Sequence, residues 1–154
     1  MTSLGITKRA GTKPKTTPTN PHTQLDQNPP QAMYDALAKR LFALESVVEA
    51  PSGISVPGSR ALLVAPAKPV GPRDAFLIGR EFAHVHPVSD GSLHVAVPPS
   101  VVSEVLDNGW AEIHPVALRG MIPMNIMMLF GPRDAQELDV IMKIVEGSRL
   151  RAIP

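Results

Sequence analysis

The chain has no cysteine. That excludes disulfides, thiolate metal sites and thiol nucleophiles, and leaves the redox compartment open. Long apolar runs are also missing: M-I-P-M-N-I-M-M-L-F, the longest candidate, is broken by Pro123 and Asn125 and falls well short of the ~20 residues of a membrane span. No apolar segment of the secretory type is present near the start, so a soluble cytoplasmic protein is the expectation. Charge of one sign is lacking as well. Lys8, Arg9, Lys13 and Lys15 stand against Asp26 in the first 30 residues, and the remaining 124 residues carry −2 of the overall +1. With no basic face, nucleic-acid binding by the folded part is not expected. The G-x-S-x-G elbow, the phosphate-cradling glycine loop and H-E-x-x-H are all absent.

What is present is one domain's worth of chain with an ordinary apolar content of 44%, enough to build a core. Residues 1–30, rich in Thr, Pro and Lys and nearly free of large apolar side chains, read as a disordered polar leader, with His22 inert within it. A single α+β domain is predicted over 31–154. Tyr34, Leu37, Leu41, Leu44 and Val48 form one helical stripe, stopped at Pro51-Ser52-Gly53. Ala61–Val64 reads as a buried strand. A second helix opens at Pro98-Pro99-Ser100 and closes at Gly109, where a left-handed cap is favoured. Residues 110–115 read as extended and 125–130 as a buried strand. Asp134 with Glu137 starts a last helix that Gly147 is expected to end. The sum is a small, mostly antiparallel sheet with about three helices and a disordered N-terminal tail. Met121, Met124, Met127 and Met128 read as adaptable core filling. The pentapeptide G-P-R-D-A, at 71–75 and again at 131–135, reads as shared turn chemistry.

The stretch R-E-F-A-H-V-H-P-V-S-D-G-S-L-H-V-A-V at 80–97 holds three of the five histidines. Ser89-Asp90-Gly91 suits a three-residue hairpin loop, which sets His86 opposite His94 and His84 opposite Ala96. Side chains alternate along strands, so Arg80, Phe82, His84, His86 and His94 share one face, and Ala83, Val85, Leu93 and Val95 the other. Opposed residues lie about 5 Å apart and diagonal ones about 7–8 Å. The three imidazoles can therefore converge. Such a set could bind Fe, Mn, Cu or Zn, could bind substrate or move protons without a metal, or could simply satisfy its own hydrogen bonds. The H-x-H pair is similar to that of cupin-type metal sites, without the carboxylate usual a few residues later; Asp90 is expected to point away. Arg80 could hold an anionic substrate group. Arg133 stands at a helix start, where a cation is electrostatically unhelpful, and could serve a ligand. Trp110 is either a core plug or a stacking platform. Glu112 and His114 share a strand face if 110–115 is extended and could supply an acid/base pair, but nothing in the spacing shows whether they reach the hairpin.

The same stretch, followed by E-V-L-D-N-G-W-A-E-I-H-P-V-A and later by L-F-G-P-R-D-A-Q-E-L with I-V-E-G-S, resembles the fungal luciferase family, whose domain also occurs in bacterial proteins. The likeness runs over about residues 80–148 and includes Arg80, Glu81, His84, His86, Asp90, His94, Trp110, His114, Arg133 and Glu137. For the luminous members, the resemblance implies oxygenation of a hydroxylated styryl-pyrone to an energy-rich peroxide, with loss of CO2 and light and without flavin or ATP. Carried over, it implies a small enolic or aromatic substrate and O2 as partners. It also implies a catalytic set of His84, His86, His94 and His114, with substrate contacts from Arg80, Trp110 and Arg133. No cofactor is fixed: there is either none or a divalent metal on His84, His86 and His94. A polar leader stands where the luminous enzymes carry a membrane anchor, and light emission itself is not expected. A non-catalytic small-molecule or metal-binding module is the alternative.

Overall fold

A computed structural model describes residues 3–154. Strands β1 (Val47–Pro51), β2 (Arg60–Val64), β3 (Glu81–Val85), β4 (Leu93–Ala96), β5 (Ala111–Ile113) and β6 (Ile126–Leu129) form one sheet. Its order is β1-β2-β3-β4-β6-β5, and every neighbouring pair is antiparallel. Helices α1 (Gln31–Phe42), α2 (Val102–Asp107), α3 (Pro115–Leu118) and α4 (Ala135–Ala152) complete an α+β fold. Among the described residues, no helix is long and apolar enough to cross a membrane.

One face of the sheet makes the core. Leu62, Val64, Ala83, Val85, Leu93, Val95, Met127 and Leu129 pack with Leu37 and Leu41 of α1 and Ile141, Ile144 and Val145 of α4. Each fully buried side chain of this size contributes roughly 1.5–3 kcal/mol, so this layer fixes which face is left for other work. The opposite face carries His84, His94, Met128 and Glu112 in one row across four strands, since His84 opposes His94, His94 opposes Met128 and Met128 opposes Glu112.

Several local expectations are corrected. The first helix stops at Phe42, and Val48 lies exposed in β1, because the Val47-Val48 pair extends along β2 instead of adding a helical turn. The last helix runs through Gly147 to Ala152: Ser148 and Ala152 are buried, and the Ser148 hydroxyl donates to Ala96 O at 2.8 Å. Gly109 does close α2 with φ +79°, and Asp134 does cap α4 by accepting from Glu137 N. Met121 and Met124 are exposed, while Met127 and Met128 are buried as read from the sequence.

Two corrections concern the hairpin. Its turn starts at Pro87, whose carbonyl accepts from both Asp90 N and Gly91 N, so His86 faces Ser92 and His84 faces His94. A shift of two residues preserves the faces, so the histidines still share a side. Upstream, β3 bulges against β2: Leu62 opposes Ala83 but Leu63 opposes Glu81. The extra residue reverses the alternation. Phe82 therefore enters the core, and Glu81 joins the histidine face.

Of the leader expected to be disordered over residues 1–30, residues 1 and 2 lie outside the described residues and 3–30 lie across the domain. Low apolar content is offset by hydrogen bonding. Leu4 N and Ile6 N donate to Glu104, Trp110 Nε1 donates to Thr7 O, Arg133 Nη2 donates to Ala10 O, and Gly131 N donates to Gln24 Oε1. Ile6 packs into the core, and Thr16 bridges to Gln24. His22, expected to be inert, is buried against His94.

Candidate functional site

All five histidines meet on the sheet face opposite the core. His84 and His94 come from the cross-strand row, His86 from the end of β3, His114 from the chain after β5, and His22 from the leader. Neighbouring ring centroids lie 4.6–5.1 Å apart. Each ring is buried. The convergence expected of His84, His86 and His94 is observed, and His114, left apart by sequence spacing, joins them.

Carboxylates orient the rings from outside. Glu81 accepts from Gly53 N and Ser52 Oγ, and its Oε2 lies 2.8 Å from His84 Nδ1. A carboxylate serving such donors is acceptor-only, so His84 Nδ1 carries the proton. Asp90, expected to point away, is buried behind His86. Its Oδ1 accepts both the amide and the hydroxyl of Ser92 at 3.0 and 2.5 Å, and the Ser92 hydroxyl oxygen lies 2.9 Å from His86 Nδ1. With the serine proton spent on Asp90, His86 Nδ1 is the donor to Ser92. Burial raises the Asp90 carboxyl above its ordinary value.

On the other side, His22 Nδ1 lies 2.9 Å from His94 Nε2, and His22 Nε2 lies 2.9 Å from Glu112 Oε2. Lys13 and Thr16 also bind Glu112. Burial pushes the Glu112 carboxyl up, but hydrogen bonds from His22, Lys13 and Thr16 together outweigh it and hold the group below its usual range. Glu112 is therefore an ionised acceptor, and His22 Nε2 is the donor to it. His114 differs from the rest: as the residue before α3, it accepts Val116 N–H on Nδ1 at 3.0 Å. Its neutral ring must then carry the proton on Nε2.

Burial keeps three of the imidazoles, His86, His94 and His114, neutral. His86 is pushed down to about 3, first by burial and then by His84 beside it. His114 is held down to about 4, first by burial and then by His22 and His84. His94 lies well below its ordinary value, again chiefly through burial.

A cavity of about 1200 Å³ stands over the rings. His22, His84, His86, His94 and His114 form its polar end, and Val56, Val70, Phe76, Leu77, Val116 and Ile126 give it apolar walls. Arg80 lines it, as expected, although Nε and Nη2 are spent on the carbonyls of Val64, Ala65 and Lys68. Among the described residues, Nη1 has no hydrogen-bond partner. Arg73, which sequence reasoning passed over within G-P-R-D-A, also lines the cavity, and no partner for its guanidinium occurs among the described residues. The two other expected substrate contacts lie elsewhere. Trp110 is a core residue whose Nε1 bonds Thr7 O, and Arg133 forks onto Glu137 while bonding Gln27 and Ala10.

Residues 79–148 match the family model described as the luciferase domain. The luciferase of Neonothopanus nambi is 39% identical over 71 residues, and those of Armillaria gallica and Armillaria mellea are 37% identical over the same length. Each alignment covers 45% of this chain and 27% of the luciferase. This chain thus matches about a quarter of the length of those relatives. No solved structure matches. Four of the five clustered histidines, together with Glu81, Asp90 and Glu112, fall inside the matched block; His22 and Arg73 fall outside it. Over residues 79–148, just under half of its length, the chain is thus similar to the luciferase domain.

Proposed function

We propose that the chain is a cytoplasmic oxygenase-type enzyme that binds a small enolic or aromatic acid, of pyrone-like shape, in the cavity over the histidine cluster. One observation carries the reading: a roomy, apolar-walled cavity ends on imidazoles whose protons are assigned by hydrogen-bond partners behind them. Apolar walls accept a flat conjugated ring, and a few convergent polar groups orient it.

The chemistry such a site favours is that of an enolate. An acidic enol gives up its proton when its oxyanion is met by donors aimed at it. His114 Nε2–H is one such donor, and Arg73 and Arg80 line the same cavity. The balancing positive charge falls to the bare ring nitrogens of His84, His86 and His94; in the simplest case it is the enol proton itself. Enolate and cation together are neutral overall, which burial penalises far less than a lone charge. The electron-rich enolate carbon then gives its electron pair to O2. A C–O bond forms, and returning the proton to the distal oxygen yields a hydroperoxide. Oxygen is the oxidant and no further redox partner is consumed. Light emission is not part of this proposal.

The test is incubation with hydroxylated pyrones under isotopically labelled O2, followed by mass spectrometry. Label in the product, lost in His94→Ala, supports the reading. Saturable binding of the pyrone with no product would instead support a non-catalytic binding module, which the cavity also fits.

A further inference from the structure

The ring protons assigned above leave one conflict. Glu81 fixes the His84 proton on Nδ1, so Nε2 is bare. Glu112 fixes the His22 proton on Nε2, so His22 Nδ1 is an acceptor and His94 Nε2 must donate to it. His94 Nδ1 is then bare as well. Yet His84 Nε2 and His94 Nδ1 lie 3.1 Å apart, two lone pairs facing each other. Ser92 fixes the His86 proton on Nδ1 and leaves a third lone pair, on Nε2. Ligand nitrogens of His84, His86 and His94 all lie within 4.8 Å of one another.

We infer that His84 Nε2, His86 Nε2 and His94 Nδ1 form a binding site for one first-row divalent metal ion. A proton can bridge two of these lone pairs but not three. Imidazole–metal bonds of about 2.0–2.1 Å place neighbouring ligand nitrogens roughly 3.0–3.4 Å apart. The His84–His94 pair already has that spacing, and a ring nitrogen of His86 lies within 4.8 Å of both partners. The outer shell is that of a metal site: each ring donates its other N–H towards a carboxylate, His84 directly to Glu81, His86 through Ser92 to Asp90, and His94 through His22 to Glu112. Three neutral nitrogen donors suit Fe, Co, Cu or Zn better than Mg or Ca.

The same logic rejects the other triple. His22, His94 and His114 also bring ligand nitrogens within 4.8 Å. But His114 Nδ1 is taken by Val116 N–H, so Nε2 carries the ring proton and has no lone pair to give. His22 Nδ1 is likewise engaged by His94 Nε2–H. These rings serve as a donor to the pocket and as an outer support, respectively.

This inference deepens the proposed enolate site by naming the balancing cation, while metal binding itself is measured without turnover. The experiment uses the full-length, tag-free chain stripped with a chelator and titrated with Co(II), following visible absorption, and with Zn(II) by calorimetry. One ion per chain is expected. Affinity should fall at least a hundredfold in His86→Ala and stay within about twofold in His114→Ala, both checked for folding by circular dichroism. Should His86→Ala unfold, Glu81→Gln carries the test, with about a 10–100-fold loss expected for an outer-shell change. Absence of uptake by the folded wild type would overturn the inference. So would a His114→Ala loss equal to that of His86→Ala, or unchanged affinity in Glu81→Gln. Stoichiometric cobalt without oxygen consumption would uphold the metal site and remove the oxygenase reading; oxygen consumption with no metal uptake would do the reverse.

Discussion

His22 lies 2.9 Å from His94, although 72 residues separate them, and its far nitrogen rests on Glu112. A residue of the leader thereby decides which nitrogen of a hairpin histidine carries the proton. The consequences reach from ring protonation to metal affinity.

Long-range proton–nitrogen NMR on the metal-free chain at neutral pH should show the proton on Nδ1 in His84 and His86 and on Nε2 in His114. The opposite tautomer at His114 would mean that its Nδ1 does not accept from Val116 N–H, and the argument against the second triple would fail.

His22→Ala removes the support behind His94. Co(II) affinity should drop about 10–100-fold, as for other outer-shell partners of ligating histidines. Far-UV circular dichroism should be unchanged, since residues on both sides remain bonded to the domain. Full affinity in this variant would show that His94 holds its tautomer without the leader.

Acid should destabilise the metal-free protein early. An unfolded imidazole titrates near 6.5, while His86 in the fold is pushed down to about 3. Between those values the unfolded chain binds the extra proton, so this contribution is fully present above about pH 6.5 and is lost as pH falls. The slope is about 1.4 kcal/mol per pH unit for such a group. His114, held down to about 4, adds to it over the upper part of the range. Urea midpoints measured with chelator at pH 7, 6 and 5 should therefore decline. A flat profile would contradict the burial of neutral imidazoles.

The two arginines outside the hairpin should separate. Arg73→Ala is expected to raise KM for an acidic substrate about tenfold or more with little change in stability, because its exposed guanidinium has no partner among the described residues. Arg133→Ala should cost stability, because it leaves the buried Glu137 carboxylate short of a partner, and should leave KM unchanged. Steady-state kinetics and urea unfolding on both variants check this. The reverse pattern would move the substrate away from the cavity.

Much of the fold was legible because periodicity is local. The stripe Tyr34–Leu37–Leu41, the cap at Asp134 and the left-handed Gly109 appear where the sequence put them. The shared face of His84, His86 and His94 survived an error in the hairpin turn because a two-residue slip preserves side-chain parity. Glu81 was hidden because a β-bulge has no composition of its own, and it moved Phe82 and Glu81 to faces opposite those that alternation assigns. His22 was missed for a different reason. Composition measures how much surface a segment can bury, whereas residues 3–30 are tied down by hydrogen bonds to groups such as Glu104, Trp110 and Gly131 that no local pattern links to them. Arg80 and Arg133 drew attention as cations near the motif, yet only their partners show how far each is spent, while Arg73 has no partner among the described residues.

The most direct test of the enolate site is oxygen consumption, recorded with an electrode, for wild type and His94→Ala given a hydroxylated pyrone, each with and without added divalent metal. The expected result is substrate-dependent uptake by the wild type, reduced at least a hundredfold in His94→Ala while the variant remains folded. Uptake that persists in folded His94→Ala, or a wild type that binds the pyrone and consumes no oxygen under either condition, would contradict the account.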